Sequence, residues 1–123
     1  MADLFAGFPV SDFTRSLRWY VELLGSEPSF FPNQREAVWE VAPHCYVYIE
    51  LLPERAGGSL TMLMVDDIDG MTSAISGRGI EPSRVENYDD GMRKVVYGDP
   101  DGNELSFGGV TASSDDREEG AHG

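Results

Sequence analysis

The sequence predicts an α+β domain made of two tandem βαβββ units. Three observations predict it. Each half carries one run of helical periodicity among several short strand-like runs. The four residues Val10-Ser11-Asp12-Phe13 lie over Val65-Asp66-Asp67-Ile68, and Gly25 lies over Gly79, one residue short of constant register. At 123 residues the chain has the length of one domain with two such halves, long enough to bury a core without disulfide or zinc.

The elements follow in order. Phe5 to Val10 is a short apolar run, read as a strand. Ser11 or Asp12 caps a helix whose apolar face is Phe13, Leu17, Tyr20, Val21 and Leu24, and Gly25 stops it. Trp19 and Tyr20 are read as packing residues of this helix. Strands are expected at 28–31, 37–41 and 46–52, with a linker at 54–58. The second half repeats the pattern. A strand at 59–65 leads to a helix that Asp66, Asp67 and Asp69 cap and favour electrostatically. Its face is Ile68, Met71, Ala74 and Ile75, and Gly77 and Gly79 end it. Strands at 82–88, 92–97 and 104–107 follow, with turns at Asp89-Asp90-Gly91 and Asp99-Pro100-Asp101-Gly102. Module one is thus about 3–53, module two about 59–109, in a single domain 1–109. Residues 110–123 carry four acids, one Arg and no aromatic, and are predicted to be a disordered acidic tail.

Charge narrows the partners. Nine basic against 22 acidic side chains leave −13, and subtracting the tail's −3 leaves −10 on the body. Such a chain repels phosphate, so neither nucleic acid nor an anionic membrane is an expected partner. The start Met1-Ala2-Asp3-Leu4 has no basic region before an apolar stretch, and no run is long enough to span a bilayer. A cytoplasmic protein is expected. One cysteine gives no internal disulfide, and Cys45 is read as an inert thiol.

The stretch from Val10-Ser11-Asp12-Phe13 through Trp19-Tyr20 to Leu24-Gly25 resembles the first strand and helix of the vicinal oxygen chelate superfamily, which holds glyoxalases, bleomycin-resistance proteins, fosfomycin-resistance enzymes and extradiol dioxygenases. Val65-Asp66-Asp67-Ile68-Asp69 resembles its second helix entry, and Asp99-Pro100-Asp101-Gly102-Asn103-Glu104-Leu105-Ser106-Phe107 is similar to its closing turn and strand. The resemblance implies curved sheets that enclose a cup, usually in a homodimer. It also implies four positions for metal ligands. Here they hold Phe5, Glu50, Leu60 and Ser106. Phe and Leu have no donor atom and Ser is a poor one, so no metal and no other cofactor is expected. His44 and Glu104 are conceivable substitutes.

Alternation along 46–51 puts Tyr46, Tyr48 and Glu50 on one face and Val47, Ile49 and Leu51 on the other. If Glu50 faces the cup, both tyrosines do, beside Phe5, Leu60 and Ser106. Trp39 is a further candidate for the ligand wall, although Val38-Trp39-Glu40-Val41 leaves its face open between cup and core. Such a wall suits a cationic or aromatic small molecule, held by ring stacking and one charge-assisted contact. The expected function is metal-free binding, with antibiotic sequestration as its physiological form. The alternative is a metal-independent isomerase or lyase with Glu50 as its catalytic general base. A third possibility is a regulatory module without ligand. The tyrosines could equally be core or interface residues, and Glu50 could be paired with Arg35, Arg93 or Lys94.

Overall fold

A computed structural model describes residues 2–111. Two four-stranded sheets and two helices form the expected α+β architecture. The elements are β1 (Leu4–Val10), α1 (Phe13–Leu24), β2 (Phe30–Asn33), β3 (Glu36–Ala42), β4 (Cys45–Leu51), β5 (Leu60–Met64), α2 (Ile68–Gly77), β6 (Arg84–Asn87), β7 (Met92–Gly98) and β8 (Glu104–Val110). The first sheet runs β1-β4-β3-β2 and the second β5-β8-β7-β6, so the two modules have one topology. In each, the first strand pairs in parallel with the last and the remaining pairs are antiparallel. No helix among the described residues is long and apolar enough to cross a membrane.

Local chemistry sets the helix ends. The Asp12 carboxylate accepts the Arg15 N–H at 3.1 Å, and Gly25 closes α1 in the left-handed conformation at φ 77°. The Asp67 carboxylate does the same for Gly70 at 2.9 Å. Three strands differ from expectation by more than one residue at a boundary. The second strand lies at 30–33 rather than 28–31. The sixth is confined to 84–87. β8 continues through Gly108 and Gly109 to Val110, and Thr111 is buried, so the stretch assigned to the tail begins inside the fold. The rest of that tail lies outside the described residues.

One core serves both modules. Phe8, Val10, Tyr20, Leu23, Trp39, Val47 and Ile49 from the first meet Ile68, Ile75, Val95, Tyr97, Leu105 and Phe107 from the second. A polar knot stitches the halves together beside it. Tyr20 is fully buried and its hydroxyl donates to Asp99 at 2.8 Å. Asp99 also accepts from the backbone N–H groups of Asp101 and Asn103, both at 2.9 Å, and from the Asn103 amide at 2.8 Å. That amide donates in turn to the Pro9 carbonyl at 2.8 Å, while the Ser59 hydroxyl reaches the Gly7 carbonyl at 2.7 Å. Ser11 bonds the Asp101 carboxylate through both its N–H and its hydroxyl. The closing Asp-Pro-Asp-Gly-Asn turn is therefore an inter-module clasp. Burial, and then Asp99 beside it, push the Tyr20 hydroxyl far above its ordinary pKa, so it remains a donor.

Candidate functional site

Both helices pack on one face of the sheets and leave the other face open. On the first open face, β1–β4 register sets Phe5 beside Tyr46, Gly7 beside Tyr48 and Pro9 beside Glu50. β3 adds Glu36 opposite Glu50, Val38 opposite Tyr48 and Glu40 opposite Tyr46. The Phe5 and Tyr46 rings stack with centroids 4.5 Å apart and planes 8° from parallel. Tyr48 lies so close over β1 that a Cβ on Gly7 would come within 2.5 Å of its ring. Only glycine admits the tyrosine in that pose. Beside it opens a cavity of about 230 Å³ lined by Gly7, Pro9, Tyr48, Glu50, Leu52 and Arg55.

Loss of water raises the Glu50 carboxyl above its ordinary pKa. The Glu36 carboxylate across the register, close enough to share a hydrogen bond, raises it further, and Arg35 and Arg55 pull it back. Glu50 therefore holds its proton more readily than an isolated carboxyl does. Tyr46 is also raised, by desolvation first and then by Glu40 and Asp3. A carboxyl whose folded pKa lies above its unfolded value contributes stability below the unfolded pKa and loses it as pH rises through the folded one. Glu50→Gln is therefore expected to melt higher than the parent at neutral pH. The gain should vanish as pH falls below the ordinary carboxylate range, which paired melting curves across pH will show.

The second open face has a different chemistry. β5 places Leu60, Met62 and Met64 on it, and β8 places Glu104, Ser106 and Gly108. β7 adds Met92, Lys94 and Val96, and β6 adds Arg84 and Glu86. Arg84 bonds both oxygens of Glu104, at 3.2 and 3.3 Å, and Glu86 at 3.0 Å. Tyr88 donates to Glu86 at 2.6 Å. A cavity of about 200 Å³ lies here, lined in part by Leu60, Met62, Arg84, Lys94 and Ser106.

The structure thus distributes the expected site residues. Phe5, Tyr46, Tyr48 and Glu50 share one wall, and Leu60 and Ser106 sit on the other. The two cavities have no lining residue in common, so one chain does not bring the four positions that the resemblance implies for ligands into one pocket. Trp39 is a correction. It alternates with Val38 and Glu40 onto the helix side, is 2% exposed, and donates its indole N–H to the Ser26 carbonyl at 2.9 Å. There it lines a separate apolar cavity of about 390 Å³ with Leu23, Leu63, Met71 and Phe107. It takes no part in the open wall.

The conceivable substitute ligands are engaged elsewhere. Glu104 is held by Arg84, and His44, at φ 66° in the β3–β4 turn, sits 2.7 Å from Asp3. Among the described residues no three His, Cys, Asp or Glu side chains converge as a metal cage. Of the cations considered for Glu50, Arg35 is nearby, but Arg93 binds Asn87 and Asp69, and Lys94 faces Glu86. Sequence reasoning missed Glu36 and Arg55. Glu36 was out of reach: a hairpin turned at Pro43-His44 pairs residue 36 with residue 51, and the irregularity between Glu40 and Ala42 moves its partner to Glu50.

No family model matches the chain, and no curated protein does. Solved structures do. A glyoxalase/bleomycin resistance protein from Catenulispora acidiphila is 46% identical over 89% of this chain and 99% of its own, with a TM-score of 0.87. TioX from Micromonospora sp. ML1 is 17% identical over 88% of this chain and 98% of its own, with a TM-score of 0.71. Lactoylglutathione lyase from Agrobacterium tumefaciens is 14% identical over 88% and 92%, with a TM-score of 0.72. The last two show the fold alone.

Proposed function

We propose, from the premise that this chain belongs to the glyoxalase/bleomycin-resistance family of the vicinal oxygen chelate superfamily, that it is a metal-free binder of a cationic or aromatic small molecule. The observation that carries the proposal is the replacement of donors by wall. Phe5 stacks on Tyr46, Leu60 is 76% exposed, and Ser106 shares its cavity with Leu60, Met62, Arg84, Lys94 and Glu104, where a metal-binding relative would present ligands.

The pocket is proposed to be completed by a second copy. Phe5, Phe30, Leu60, Met62, Met64 and Val110 all leave large apolar area on the open faces. Exposed apolar side chains in this number fit an interface. A homodimer that sets the aromatic, acidic wall of one copy against the methionine wall of the other covers it and encloses the ligand. The stacked rings attract a flat cation, by about 0.5–2 kcal/mol per ring, and the Glu36–Glu50 pair supplies the counter-charge. Sequestration of an antibiotic in the cytoplasm is the physiological form of this proposal, in line with the resistance function in the name of the Catenulispora protein.

Titration with proflavine, a flat cationic probe, tests it alongside sedimentation equilibrium. Expected are a dimer, saturable binding, and about tenfold weaker affinity in Glu50→Gln. A monomer, or a titration unchanged by Glu50→Gln, contradicts the proposal. The raised Glu50 carboxyl favours one second function, a metal-independent isomerase or lyase step with Glu50 as base. Turnover of a carbon acid abolished by Glu50→Ala would establish that function instead.

A further inference from the structure

Met62-Leu63-Met64 lies on β5, and a two-residue spacing on a strand sends both thioethers to the same face. They converge. A Cβ placed on Gly108, the β8 residue beside Met64, would lie 3.0 Å from the Met64 sulfur and 3.4 Å from the Met62 sulfur. Both sulfurs therefore hang over one backbone point that no side chain fills. Met92 lines the same cavity, of about 280 Å³, with Tyr88 beside it. Met62 is 49% and Met64 57% exposed, so solvent reaches them.

Sulfur decides what such a site takes. Thioethers are neutral, soft donors that need no deprotonation and discriminate against hard ions such as Mg(II) and Ca(II). Zn(II), which is held by Cys, His and carboxylates, would need a cage of harder donors, and the described residues assemble none. The cations around the cavity are offset: Arg93 is bonded to Asn87 and Asp69, and Lys94 faces Glu86 across the β6–β7 register. The chain's net charge of −13 draws cations toward it.

We propose that Met62, Met64 and Met92 form a thioether site for a soft monovalent ion, Cu(I) or Ag(I). The site takes its donors from one chain and does not need the ligand proposed above, although it lies on the wall that the proposed homodimer turns toward that ligand. Silver(I), which resists oxidation, is the probe. Cys45→Ser removes the competing thiol, and methyl-13C-methionine labelling reports each sulfur separately. In chloride-free buffer, the Met62, Met64 and Met92 methyl resonances are expected to shift and saturate at one ion per chain. The Met71 resonance, on α2, should stay in place.

Changing both Met62 and Met64 to Leu keeps side-chain volume, so the amide spectrum should stay folded. That variant should lose at least about tenfold in affinity, whereas Met71→Leu should lose none. Methyls at 62 and 64 that do not move, or a double variant that binds silver as tightly as its parent, would overturn the proposal.

Discussion

Asp99→Ala is expected to destabilise the protein by about 3 kcal/mol or more, an appreciable share of an ordinary domain's 5–15 kcal/mol. Asp99 is 6% exposed and accepts four hydrogen bonds, from Tyr20, from the N–H groups of Asp101 and Asn103, and from the Asn103 amide. Alanine leaves the buried Tyr20 hydroxyl without its acceptor and frees the turn that delivers Asn103 to Pro9. Each unpaired buried donor costs about 1–3 kcal/mol. The melting temperature should fall by more than about 10 °C. Asp99→Asn keeps one carbonyl oxygen and should lose clearly less. Because the clasp joins the modules, the loss should appear in one cooperative transition. A melting curve for Asp99→Ala that overlays the parent would show that the clasp is ornamental.

Trp39→Ala is expected to cost about 3–5 kcal/mol, the range for emptying a large aromatic site. Trp39 is among the largest fully packed side chains and touches the Tyr20 ring at a centroid distance of 5.9 Å. Denaturant midpoints measure the loss. The milder Trp39→Phe separates core from ligand wall. Since the indole faces the helices, Trp39→Phe should bind proflavine within about twofold of the parent. A tenfold loss in a folded Trp39→Phe protein would put the indole back on the wall.

Much of the fold was legible because local signals agreed with the tertiary outcome. Asp12 and Gly25 bound α1 as their chemistry predicts, and the internal repeat gave both modules one topology. The misplaced strands fail for physical reasons. β2 is wholly exposed and pairs through an irregular register, so no burial pattern marks it. β8 reads as ending at Phe107 because Gly108 and Gly109 look like a break. A Cβ on Gly109 would lie 2.8 Å from the Val65 carbonyl oxygen and 3.1 Å from Ile68 on α2, and one on Gly108 would lie 3.0 Å from the Met64 sulfur. A strand-like pattern cannot express that crowding.

The site divides the same way. Alternation alone put Tyr46, Tyr48 and Glu50 on one face, where they are. The face of Trp39 needed the β3–β4 register, which an irregularity between Glu40 and Ala42 shifts by one residue; a plain turn at Pro43-His44 would set residue 39 against Tyr48 rather than Val47. The split of the four positions that the resemblance implies for ligands between two walls was not legible. It follows from how two complete modules pack, through contacts such as Ser59 with Gly7 and Asn103 with Pro9, 52 and 94 residues apart.

On the proposed reading, the protein works by wall chemistry at the positions that the resemblance implies for metal ligands. Divalent metal content of protein purified without chelator, measured by plasma mass spectrometry for the parent and Glu50→Gln, tests it most directly. The account predicts less than about a tenth of an equivalent of zinc, nickel, manganese or iron per chain, the same in both proteins. Near one equivalent in the parent, lost in Glu50→Gln, would contradict it and make Glu50 the anchor of a metal centre.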